Sequence, residues 1–255
     1  MSDRFSESAV IGYLHRFGYL TCHCENTLCE HVPDGVDKLK RLFGLESGTR
    51  IDRELSAWTN MPRCGCSDAV DYTLSGRKWS RSSLTYKLVN GTSDIVGDRE
   101  AEAIRAAFTI WSNTINLKIF QVPAGVSGGS VDIEVLWATN DHGDGNPFDG
   151  SGGVLAHAYY PGTYPLAGDV HFDDAEAWAF DTTPGSIDLI TVAAHEIGHS
   201  LGLGHSQEKS ALMYPVYLGP HPYLAGDDIR GIRAIYDAPE PRRPWWWFIL
   251  RRFGL

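Results

Sequence analysis

The chain has 255 residues, enough for one large domain or two modest ones. Hydrophobic residues make up 43% and charged residues 21%, so a real core is available, and the net charge of -10 speaks against a nucleic-acid partner. No run of about twenty apolar residues exists, which argues against a membrane-spanning helix. The start, Met1-Ser2-Asp3-Arg4, is polar and unlike a secretory signal, which taken literally means the cytosol.

Residues 5–60 read as helices. Val10, Leu14, Phe17 and Leu20 recur at helical spacing and form one apolar face, interrupted near Gly18. Pro33-Asp34 opens a second helix with Val36, Leu39, Leu42 and Phe43 inward, and a third is expected from Ile51 to Trp58. These make a small bundle. Pro62 to Asp68 has neither helical nor strand period, and a joint rich in Gly, Ser and Arg follows at 75–83. The pattern then changes. Strands are expected at 84–89, 117–122, 131–137, 154–159 and 169–172, with helices at 99–115, 187–201 and 227–236. Ala103, Ile104, Ala107, Phe108 and Trp111 should face inward from the first of these helices. Strand, helix, strands, then helix is an α/β arrangement with a mixed sheet.

Five cysteines are present: Cys22, Cys24, Cys29, Cys64 and Cys66. An odd count leaves a free thiol if the protein is exported. The others can form disulfides, or Cys22, Cys24, Cys29 and His31 can gather a metal. The sequence leaves both open.

The most informative stretch is His195-Glu196-Ile197-Gly198-His199-Ser200-Leu201-Gly202-Leu203-Gly204-His205. Residues four apart on a helix share a face, so His195 and His199 can hold one edge of a metal. Glu196 then projects beside the metal and stays out of its ligand set. Gly202 can take a left-handed conformation and turn the chain, bringing His205 back as a third ligand. Three protein ligands on tetrahedral zinc leave one position open, as catalytic sites require. This H-E-x-x-H-x-x-G-x-x-H pattern resembles the metzincin signature.

With Ser206 after the third histidine and Ala211-Leu212-Met213-Tyr214-Pro215 downstream, the chain resembles the matrix metalloproteinases, or matrixins, over most of residues 10–236. Met213 would form the apolar floor under the histidines. Pro62-Arg63-Cys64-Gly65-Cys66-Ser67-Asp68 is similar to the family's cysteine-switch motif, P-R-C-G-x-P-D. It departs at Cys66 and Ser67, where valine and proline are common. By that resemblance Cys64 takes the fourth zinc position in a latent form, and Arg63 pairs with Asp68. Cys66 is left with two options: bonding to a bundle cysteine, or competing with Cys64 for zinc.

The resemblance implies an α+β or α/β metzincin fold. A helical propeptide bundle with the cysteine switch spans 1–80. A catalytic domain spans 81–237, with a mixed, twisted five-stranded sheet and three helices. A proline-rich hinge and an aromatic and basic tail span 238–255, and no propeller domain is expected. A structural zinc would sit on His142, Asp144, His157 and His171. One calcium would use Asp149, Gly150, Gly152 and Val154 with Asp173 and Glu176. A second would use Asp132 and Asp169, with carbonyls near Pro165 and Ala167. Two zinc ions and two or more calcium ions are therefore expected.

Glu196 would act as the base on the attacking water. An extended peptide would add to the edge at 153–158, including Ala156, with Pro215 and Tyr217 as the opposite wall and Thr191 shaping the specificity pocket. No clear furin sequence lies in 75–83. The expected product is a secreted monomer, extracellular or at the cell surface, with peripheral membrane contact through residues 244–255. Asn90-Gly91-Thr92 is a glycosylation sequon, meaningful only after export. A non-catalytic scaffold and a cytosolic zinc peptidase are the competing readings. The intact Glu196 opposes the first; the switch, the cysteine count and the calcium loops oppose the second.

Overall fold

The computed structural model describes residues 6–21, 26–69, 77–126, 131–180 and 183–236. Three helices come first: α1 (Glu7–Arg16), α2 (Val32–Leu42) and α3 (Arg53–Trp58). Ser6 caps α1 by accepting from the Ala9 amide, and Asp52 caps α3 by accepting from the Leu55 amide at 2.9 Å. Helix α1 stops just before Gly18, whose φ is 83°; a side chain there would press on Ser67 and Ala69. The expected inner faces are buried, including Val10, Leu14, Val36, Leu39 and Phe43. The bundle does not close its core alone. Phe148, Val154, Tyr214 and Val216 from the rest of the chain complete it.

Next come β1 (Arg63–Cys64), β2 (Ser83–Leu88), α4 (Arg99–Ser112), β3 (Lys118–Gln121), β4 (Ile133–Ala138), β5 (Val154–Ala158) and β6 (Val170–Asp173). A short β7 (Trp178–Ala179) pairs with β8 (Ile187–Asp188), followed by α5 (Leu189–Ser200) and α6 (Gly226–Tyr236). The main sheet has the order β1-β5-β6-β4-β2-β3. Only β5 and β6 run antiparallel, so the sheet is mixed as expected.

Five of these strands are the expected ones. The sixth, β1, comes from residues 62–68, which carry no strand period. It is extended because it docks in parallel on β5, with Arg63 opposite Val154 and Cys64 opposite Ala156. Pairing with a distant strand creates this element, and local pattern does not.

Helices α4 and α5 pack on one face of the sheet. Ala103, Ile104, Ala107, Phe108 and Trp111 are all buried, and the Trp111 indole donates to the Ala194 carbonyl at 2.7 Å. That bond ties α4 to the middle of α5. Asn90 of the sequon is held to the Trp137 backbone: its Nδ2 donates to the carbonyl at 2.7 Å and its Oδ1 accepts from the amide at 2.8 Å. No helix among the described residues is long and apolar enough to cross a membrane. The expected tail contact at 244–255 lies outside the described residues.

Candidate metal centre and cleft

Asp188 starts α5 by accepting from the Thr191 amide at 2.8 Å. One turn later His195 and His199 emerge on a common face. The chain turns at Gly202, whose φ is 110° and whose Cβ would collide with the Arg77 carbonyl oxygen. His205 then returns to the same point. His199 Nε2 lies 3.2 Å from His195 Nε2 and 3.1 Å from His205 Nε2. Cys64 Sγ lies 3.5 Å from that same nitrogen. Zinc bonds of about 2.0–2.1 Å to nitrogen and about 2.3 Å to sulfur put tetrahedral neighbours roughly 3.3–3.6 Å apart. The four side chains fit such an ion.

Outer contacts orient the rings. His195 Nδ1 donates to the Leu212 carbonyl and His199 Nδ1 to the Leu203 carbonyl, both at 2.7 Å. A carbonyl only accepts, so each Nδ1 carries the proton and each Nε2 keeps its lone pair for a metal. His205 Nδ1 sits 2.7 Å from Asp68 Oδ1, at ion-pair distance, although the ring N–H is not aligned for a straight hydrogen bond.

Met213 is fully buried under this site, and a side chain at Gly198 would collide with its sulfur. The turn carrying Met213 is held by Asp228, whose carboxylate accepts from the Leu212, Met213 and Ala225 amides at 2.7–3.0 Å. Sequence reasoning missed Asp228, because an acidic residue in the first turn of a helix usually faces water.

Glu196 is fully buried, and its Oε1 has no hydrogen-bond partner. Burial pushes its carboxyl up to about 8, with the nearby Cys66 sulfur adding to the shift.

Residues 62–65 fill the groove between two walls. Arg63 N donates to Gly153 O at 3.0 Å and Gly65 N to Ala156 O at 2.8 Å on the β5 side. Cys64 N donates to Pro215 O and Tyr217 N to Pro62 O, both at 2.9 Å, on the other. The segment is clamped from behind by α1. Arg63 is buried, stacks over the Phe17 ring at 3.5 Å, and bonds Tyr13 and Asp68. Tyr19 donates to Asp68 at 2.8 Å, and the Asp68 amide donates to Phe17 O at 3.0 Å. Burial works against the Asp68 charge, yet Arg63 and His205 hold the carboxyl well below its usual range.

Of the two options for Cys66, the bond to a bundle cysteine is not made. Cys64 and Cys66 are both free and buried, whereas Cys29 is disulfide-bonded and so is no metal ligand. Cys66 lies two residues beyond Cys64 on an extended segment and points the same way, into the cleft. The other members of that cysteine set, Cys22 and Cys24, lie outside the described residues.

A second histidine group forms as expected. Asp144 Oδ2 contacts His157 Nε2 at 2.7 Å, His142 Nε2 at 2.8 Å and His171 Nδ1 at 2.9 Å. Four ligands fill a tetrahedron and leave no open position, which suits a structural metal. Burial and the neighbouring His157 push His171 down to about 4, which favours the neutral ring with one nitrogen lone pair.

The expected calcium residues are less tightly drawn. Asp149 Oδ1 accepts from Val154 N at 2.9 Å and Glu176 Oε1 from Gly152 N at 2.7 Å, while Asp149 Oδ2 pairs with Arg16 at 2.9 Å. Asp173 is fully buried, with Oδ2 unpartnered. Burial and the charges of Asp149 and Asp174 raise the Asp173 carboxyl. An orphaned buried carboxylate oxygen among other acids fits a hard cation. Asp132 is engaged by Arg81 and by Thr85, and Asp169 Oδ1 accepts from Glu134 N at 2.8 Å. Among the described residues Asp149, Asp173 and Glu176 do not close to within 4.8 Å as the histidine groups do.

A cavity of about 210 Å³ opens beside Glu196, bounded by Thr191, Val192, Leu212, Tyr217 and His221. The Thr191 hydroxyl donates to Asp188 at 2.5 Å and accepts from the His221 amide at 2.8 Å. Thr191 therefore fixes the return loop that closes the pocket.

A three-histidine centre with an adjacent glutamate lies against a mixed sheet, a donor set that suits a zinc ion with one position left open. Residues 78–237 match the matrixin family, and the chain belongs to it. It is 37% identical over 227 residues to matrix metalloproteinase-20 of Homo sapiens, which covers 87% of this chain and 45% of that protein. It is 35% identical over 258 residues to matrix metalloproteinase-16 of Homo sapiens, covering 91% and 42%, and equally similar to its Mus musculus counterpart. The chain thus spans less than half the length of these relatives.

Proposed function

We propose that the chain is a latent, exported, zinc- and calcium-dependent endopeptidase acting on matrix or other extracellular proteins. Residues 1–80 are its propeptide, 81–237 its catalytic domain and 238–255 a hinge and tail. The observation that carries this reading is the position of Cys64. Its sulfur completes the histidine set, while residues 62–65 occupy the groove an extended substrate needs.

Zinc, when held by His195, His199 and His205, supplies a Lewis acid that polarises the scissile carbonyl and acidifies a water. Glu196 would serve as the base that takes a proton from an attacking water and as the acid that returns it to the leaving amine. The carbonyls of Gly153, Ala156 and Pro215 and the amide of Tyr217 hold the substrate backbone as an added strand. The cavity bounded by Thr191 accepts the side chain beyond the scissile bond. His142, Asp144, His157 and His171 hold a second zinc, and Asp149, Asp173 and Glu176 a calcium; Asp132 and Asp169 serve a further calcium. The protein acts as a monomer, and residues 244–255 touch membrane surfaces; equal liposome flotation without them removes that element.

The central test is hydrolysis of a quenched peptide by the full-length chain before and after limited proteolysis between Asp68 and Ser83. Activity should emerge on cutting and disappear with a zinc chelator. Equal activity before and after cutting would reject latency, and activity indifferent to chelation would reject zinc catalysis.

A further inference from the structure

The metal centre holds two thiols, not one. Cys66 Sγ lies 4.0 Å from Glu196 Oε2, and the Cys66 amide donates to Cys64 Sγ at 3.3 Å. The ligand atoms of Cys64, Cys66, Glu196 and His199 all lie within 4.8 Å of one another. Gly65 explains how both sulfurs reach one side. A Cβ there would stand 2.7 Å from Val154 Cγ1, so the backbone lies flat on β5 at that point. The flanking side chains both turn inward.

Weak bonds hold Cys66 where it stands: its thiol lies 3.3 Å from Ala158 O, accepts from Ala158 N at 3.4 Å and contacts Glu196 Oε2 at 4.0 Å. Sulfur is a poor hydrogen-bond partner but a strong zinc ligand. A rotation of the side chain exchanges the first kind of contact for the second.

We propose that Cys66 is an alternative zinc ligand of the latent form, so that the site stays closed when the Cys64 sulfur leaves. This rests on the reading of residues 62–68 as a latency segment. The lock then has two sulfurs, and losing either alone does not open it.

The test uses the full-length chain loaded with cobalt in place of zinc. Thiolate-to-cobalt charge-transfer absorption reports sulfur ligation independently of hydrolysis. The second histidine group contains no sulfur, so the band there is silent. Cys64→Ser and Cys66→Ser should each keep the band, with cobalt content unchanged, and should stay inactive on a quenched peptide. The double variant should lose the band and become active uncut. Loss of the band in Cys64→Ser to the level of the double variant overturns the proposal. Cys64→Ala repeats the measurement if serine disturbs the strand. A double variant that loses the band but remains inactive upholds the ligand assignment and overturns the latency reading beneath it.

Discussion

The Asp68 carboxylate lies 2.7 Å from His205 Nδ1, so a residue of the segment in the groove also touches the three-histidine cluster. Its oxygens are also held by Tyr19 and by Arg63, which is buried. Removing one partner of a buried ion pair costs about 3–5 kcal/mol. Asp68→Ala should therefore loosen the segment, lower the Tm of the full-length chain and raise its basal peptide hydrolysis. Thermal unfolding and an uncut activity assay check this; unchanged values in both would mean that Arg63 finds another partner.

Glu196 is tested by Glu196→Gln in the cut protein. The shape of the site is kept and the base is lost. Hydrolysis should fall by about a thousandfold or more, while metal content stays the same. A loss of metal would instead make Glu196 a structural residue.

Asp169 predicts a pH dependence. Burial raises its carboxyl to about 7, from an ordinary value of about 3.9. Its contribution is fully present below about pH 4 and is lost as pH rises through 7, because the buried group must then ionise. In calcium-free buffer Asp169→Asn should raise Tm by several degrees at pH 8 and leave it nearly unchanged at pH 4. Melting curves at the two pH values decide it.

Asp173 carries the calcium prediction. Its unpartnered buried oxygen should make the folded state bind calcium. Millimolar calcium should raise the Tm of the wild-type chain, and Asp173→Asn should largely abolish that rise. Equal calcium responses from both chains would move the ion elsewhere.

Asp228→Ala should strand the Leu212, Met213 and Ala225 amides at a cost of about 1–3 kcal/mol each. Leu212 also supplies the carbonyl that orients His195. Zinc affinity should fall along with stability, by about ten- to a hundredfold. Competition with a chelating dye measures the affinity; denaturant unfolding measures the rest.

What could be read from the sequence follows from where the information lies. His195, His199 and His205 are legible because helix periodicity and one glycine decide where they meet. Helix α4 is legible because its apolar residues recur with the helical period. Strand β1 is not, since its conformation comes from β5, about ninety positions further along the chain. Asp228 looks like an ordinary helix-start acid until tertiary packing buries it. The direction of Cys66 depends on that same docked strand, so the sequence offers a bond to a bundle cysteine and competition for zinc as alternatives and does not choose between them.

Strand β1 is attached to the groove it fills. A covalent connection holds such a segment at an effective concentration in the millimolar range, far above what a free peptide reaches in dilute solution. Even weak pairing along residues 62–65 is then enough to keep the groove occupied. Cutting the connection changes none of the contacts; it turns the same segment into a competitor that dilution removes. Freshly cut protein should gain activity on dilution, and the rate of gain reports how quickly the strand leaves.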